Sequence, residues 1–193
     1  MKLRSTFIFS GMLALTLTSG AALAQQSLAA HQHGQAELQI AISGEHVEAL
    51  LLSPAYNLLG FEHRPETPEQ HHEVDAIARW LEQTAIVNTV GGLCSPVTSS
   101  LHTNWGHEQM HESGAAHPHD HHHDDTQDDE SGHSDVEVVQ SLRCPGLKNS
   151  EQFETNLMAR FPALEQLHVQ WVGPQGQGSV RLNQGEARFY PGR

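Results

Sequence analysis

Sixteen histidines stand in a chain of 193 residues, where about four would match ordinary composition. Nine of them fall in one stretch: His102, His107, His111, His117, His119, His121, His122, His123 and His133. Eight carboxylates share it: Glu108, Glu112, Asp120, Asp124, Asp125, Asp128, Asp129 and Glu130. A neutral imidazole offers a nitrogen lone pair to borderline cations such as Zn(II), Ni(II) and Cu(II). Closely spaced histidines supply several ligands while each closes only a short loop. The carboxylates raise the local cation concentration and can ligate too. No Lys or Arg lies between Arg79 and Arg143, so no fixed positive charge competes. The run from Pro118 to Asp125 has many alternative ligand sets, which favours several modest, exchanging sites over one fixed site. Imidazoles titrate near pH ~6.5, so metal binding should weaken as protons take the lone pairs below it. A pH-sensing segment and a solvated acidic linker are the alternative readings.

Other histidines lie outside this stretch. In an extended segment His31 and His33 point the same way and can share a metal. The alternative is a flexible polar N-terminal segment. His63 sits in a loop, and His71 and His72 in the first turns of a helix. Each by itself reads as a surface residue, and His46 and His168 as sheet-surface residues.

The elements that must position these groups follow from the pattern. Residues 1–24 read as an export signal. Lys2 and Arg4 form a positive start, Thr6 to Thr18 is apolar, and Ala22-Leu23-Ala24 is an A-x-A cleavage site. Export leads to an oxidising compartment, where the only two cysteines, Cys94 and Cys144, are expected to form a disulfide. Closing that loop is worth roughly 4 kcal/mol. A metal-binding or redox pair is the alternative, without a C-x-x-C spacing to support it.

Ala36, Leu38, Ile40 and Ile42 alternate as one face of a strand, and Ser43-Gly44-Glu45 turns into a second strand from Val47 to Leu52. Thr67-Pro68-Glu69-Gln70 is a helix start with a capping box. Val74, Ile77, Ala78, Leu81 and Ala85 continue it at helical spacing. Cys94 to His102 and Asp135 to Arg143 read as antiparallel strands flanking the insert. Asn149 or Ser150 should cap a second helix carrying Phe153, Leu157, Met158 and Phe161, stopped by Pro162. Leu167, Val169 and Trp171 form a strand face. A turn over 173–178 follows, then strands at Val180 to Leu182 and Arg188 to Tyr190. The class is α+β: antiparallel sheets with two packed helices in one domain, 25–193. A His/Asp-rich insert over 102–135, too polar to bury a core of its own, is expected to be disordered.

The formal charge of −13 argues against nucleic acid and against anionic lipid surfaces. No second apolar run follows the signal, so no membrane insertion is expected after cleavage. A metallohydrolase needs a rigid three-ligand site and a general base, and no HExxH occurs. The expectation is a non-enzyme. An interaction module whose insert folds on a partner is a further class.

Several segments together resemble a known family. Ala30-His31-Gln32-His33-Gly34 comes first, then Ser53-Pro54-Ala55-Tyr56-Asn57-Leu58-Leu59-Gly60-Phe61-Glu62-His63, then the His/Asp-rich insert, then Gly176-Gln177-Gly178. This resembles the ZrgA-type family of periplasmic zinc-uptake proteins across essentially the whole chain after the signal. The H-x-H-G start and the G-F-E-H segment are its specific parts. The resemblance implies a Gram-negative periplasm, Zn(II) as cargo, and support of zinc uptake with a periplasmic zinc receptor or an ATP-binding-cassette importer. It also implies that His31, His33 and His63 form a site in the folded part. Ligand type alone does not choose among Zn(II), Cu(II) and Ni(II), so a copper or nickel buffer or metallochaperone is the alternative. Four methionines without a Met-rich motif make Cu(I) handling less attractive.

Overall fold

A computed structural model describes residues 32–92, 94–105, 134–147 and 152–191. The described chain is mostly sheet, with a few short helices. Strands β1 (Gln35–Ser43) and β2 (His46–Pro54) form the expected hairpin, with Ile42 opposite Val47. Helix α1 (Ala55–Leu59) follows β2 directly and ends at Gly60, whose φ is +80°. Helix α2 (Pro68–Gln83) begins where the capping box predicts. The Thr67 side chain accepts from the Gln70 backbone N–H, and the Gln70 side chain accepts from the Thr67 N–H. Ile77 and Leu81 are its buried residues.

Strand β3 (Asn88–Thr89) precedes β4 (Ser95–Thr103) and β5 (Asp135–Arg143), which pair antiparallel with a bulge between Pro96 and Thr98. Then come β6 (Phe153–Glu154), α3 (Leu157–Arg160), β7 (Gln166–Gly173), β8 (Gly176–Asn183) and β9 (Arg188–Phe189). The main sheet has the order β4-β5-β2-β1-β7-β8, and β3-β6-β9 form a second, small one.

Three expectations need correction. The sheet is mixed, because β1 pairs with β7 in parallel, Ile40 lying opposite Trp171. The expected helix over Phe153 to Phe161 is helical only at Leu157–Arg160. Phe153 instead lies between Thr89 and Phe189 in the small sheet. Backbone bonds from Val90 N–H to Gln152 C=O and from Thr155 N–H to Ala187 C=O flank this pairing. The expected turn over 173–178 is shorter: β7 reaches Gly173 and β8 starts at Gly176. The 1–24 signal and most of the His/Asp-rich insert lie outside the described residues.

One face of the main sheet carries the core. Leu38, Ile40, Val47, Leu51, Val138, Leu142, Leu167 and Val169 pack there with Ile77 and Leu81 of α2. Gln140 is also fully buried. Its side chain accepts from Ile86 N–H at 2.9 Å and donates to Leu81 C=O at 2.6 Å and Thr84 C=O at 2.9 Å, tying the end of α2 to β5. A disulfide joins Cys94 and Cys144, linking the start of β4 to the end of β5.

Candidate metal centre

The β4–β5 hairpin is closed by the disulfide at one end, so the insert leaves from the other. Asn104 N–H donates to Asp135 C=O at 3.3 Å, and Asp135 N–H donates to the Asn104 side chain. These bonds hold the two stems of the insert together. Ala55 N–H donates to Ser134 C=O at 2.7 Å, fastening the returning stem to the start of α1. On the outgoing stem, Trp105 stacks on Phe61 with ring centroids 6.0 Å apart. The insert therefore springs from beside α1 and the loop that follows it.

His33 and His63 belong to the same end. His33 precedes β1, and its ring stacks on Tyr56 of α1 at 4.9 Å. Its Nε2 lies 2.7 Å from Glu62 Oε1. The next residue, Gly34, has φ +81°, a conformation that glycine adopts without a Cβ penalty. Gly34 N–H donates to Asn57 Oδ1 at 2.8 Å, and Gly34 C=O accepts from Glu165 and Gln166 N–H, both at 2.8 Å. Asn57 Nδ2 donates to Gln35 C=O at 2.8 Å and to Ser53 Oγ at 3.1 Å. The backbone under His33 is thus held from α1 on one side and from the approach to β7 on the other.

His63 has one nitrogen assigned by its neighbours. Nδ1 lies 2.8 Å from Arg64 C=O. A carbonyl only accepts, so Nδ1 is the donor here, and in a neutral ring the lone pair is on Nε2. In that tautomer Nε2 is the nitrogen that can take a metal, with the other nitrogen oriented by a backbone carbonyl. Gln70 Nε2 approaches His63 Nε2 at 3.5 Å. Its amide orientation is set by Oε1, which accepts from Glu66 and Thr67 N–H. The capping box of α2 therefore also presents an N–H to His63. Phe61 packs beside the His63 ring at 5.5 Å.

The remaining candidates are placed as follows. His102 is exposed on β4, opposite Glu137. His31, His107, His111, His117, His119, His121, His122, His123 and His133 lie outside the described residues. Among the described residues, no three His, Cys, Asp or Glu side chains converge tightly enough to hold a metal ion. The described part offers a pair, His33 with Glu62, and a second imidazole, His63, one residue further on. Sequence reasoning missed Glu62 and Asn57, which stand 29 and 23 residues from their partners. Their only sequence signal is membership of the same short segment as His63.

The family described as ZrgA family zinc uptake protein matches residues 30–190. No curated protein matches the chain.

Proposed function

The chain belongs to the ZrgA family of zinc uptake proteins, and on that premise we propose that it is a non-enzymatic periplasmic protein that captures Zn(II) and supports its uptake. The signal over 1–24 exports it, and 25–193 form one zinc-binding domain. The insert histidines, His107, His111, His117, His119, His121, His122, His123 and His133, collect zinc at several exchanging sites. His33 and His63, with His31, form the tighter site in the folded part. Zinc then passes to a receptor or an ATP-binding-cassette importer.

One observation carries this reading: both stems of the insert emerge beside the segments that bear His33 and His63. The Ala55–Ser134 bond and the Phe61–Trp105 stack fix that proximity. A collecting segment tethered there keeps its cargo near the folded histidines at high effective concentration. The imidazole and carboxylate donor set suits a borderline cation. Among the described residues, no helix is long and apolar enough to cross a membrane.

Calorimetric zinc titration tests the proposal. The signal-free protein is compared with a variant in which residues 106–133 are replaced by an Asn-Gly turn, a connection that suits an antiparallel hairpin. The variant should lose the weak, multiple sites and keep one tight site. Loss of all binding would remove the folded site from the reading. Absence of binding even by the parent protein would remove zinc.

A further inference from the structure

We propose that Glu62 is a zinc ligand, acting as a pair with His33. This rests on the reading that the tight zinc site includes His33, and it adds an oxygen donor that neither composition nor spacing supplies.

The geometry is close to what coordination needs. Glu62 Oε1 faces His33 Nε2 at 2.7 Å, a short charge-assisted distance. In a tetrahedral zinc site, Zn–N and Zn–O bonds of ~2.0–2.1 Å set the two donors about 3.3 Å apart. The pair must therefore open by about 0.6 Å to admit the ion. The pair thus stands close to the donor spacing that zinc requires before the metal arrives.

The surroundings favour a fixed pair. The His33 ring is backed by Tyr56, and its backbone is held through Gly34 by Asn57. The Glu62 side chain is 19% exposed against 51% for His33. Partial removal from water strengthens the pull of the carboxylate on a divalent cation. A carboxylate also supplies the charge that neutral imidazoles lack, and its hard oxygen selects against Cu(I).

A carboxylate touching an imidazole can instead orient it while the other ring nitrogen binds the metal. Substitutions at Glu62 separate the two roles. Glu62→Gln keeps an oxygen that accepts from an imidazole N–H, but a neutral amide is a poor zinc donor. Glu62→His supplies a new ligand and no carboxylate. The full signal-free chain is titrated with Zn(II) against a chromophoric chelator, reading the first equivalent bound. Thermal melts show that each variant folds.

Glu62→Gln should weaken this site at least about tenfold, and Glu62→His should recover most of that loss. The Co(II)-loaded protein should change its d–d absorption in Glu62→Gln. Affinity and Co(II) spectrum unchanged in Glu62→Gln would overturn the assignment, as would a Glu62→His variant no better than Glu62→Gln. Parent-like binding by His33→Ala would instead remove the tight-site reading on which the assignment rests.

Discussion

Asn57 Oδ1 accepts from Gly34 N–H at 2.8 Å, so the residue after His33 is fastened to a helix rather than to a neighbouring strand. Asn57 is 2% exposed and spends both ends of its amide on this junction, its Nδ2 donating to Gln35 C=O and Ser53 Oγ. Gln140 makes the same kind of junction elsewhere, between the end of α2 and β5. Two buried amides thus do similar structural work, and only one of them lies under a candidate ligand.

That contrast separates stability from binding. Asn57→Ala leaves buried backbone groups at Gly34 and Gln35 unpaired, at about 1–3 kcal/mol. Gln140→Ala does the same at Ile86, Leu81 and Thr84, at a similar cost. Urea unfolding should show both losses. Zinc competition should show weaker binding at the tight site in Asn57→Ala alone. Equal zinc affinity in the two variants would mean that Asn57 has no part in placing His33.

The sequence made some of this legible. Helix α2 is set by local signals, a capping box and an apolar stripe, and it starts where they predict. Strand β5 has the bounds that its alternation suggests, Asp135–Arg143. The parallel β1–β7 pair was not legible, because it joins Gln35 to Gln166 across most of the chain and no turn sequence marks such a contact. The segment from Phe153 to Phe161 misleads for a physical reason. Phe153, Leu157 and Phe161 are all buried, and their helical spacing arises from a short strand followed by a single helical turn. At the site, His33 and His63 are legible as residue types. Their setting beside the insert stems depends on long-range backbone pairing that composition does not record.

Gly34 gives a second test of how His33 is held. Alanine at φ +81° is strained by about 1–2 kcal/mol, and its Cβ would lie 3.4 Å from the Glu165 carboxylate. Gly44, at φ +65° in the β1–β2 turn, has nothing within 4 Å of such a Cβ. Gly34→Ala and Gly44→Ala should therefore both lower stability in chelator. Only Gly34→Ala should weaken the first zinc equivalent, read by chelator competition.

The disulfide should act on stability and not on zinc. It spans 50 residues and ties β4 to β5 at the end away from the insert. Replacing both cysteines with serine frees that loop in the unfolded chain, at roughly 4 kcal/mol in the chain-entropy account. The unfolding midpoint in urea should fall accordingly. Below that midpoint, zinc stoichiometry and affinity should match the parent. A loss of zinc in the folded double variant would implicate the cysteines in binding.

Gly178 should be critical for packing at the opposite end of β1. A Cβ there would lie 2.6 Å from Cζ2 of the Trp171 indole, which crosses over β8 and also meets the Phe189 ring at 6.1 Å. Trp171 is 9% exposed, and its rigid ring can give way only by turning as a whole. Overpacking of this kind costs about 1–3 kcal/mol. Trp171 is opposite Ile40, which at strand rise lies about 20 Å along β1 from His33. Gly178→Ala should therefore lower the melting temperature and alter the near-ultraviolet circular dichroism of the tryptophans. Zinc affinity should stay at the parent value, and a change in it would couple the two ends of the sheet.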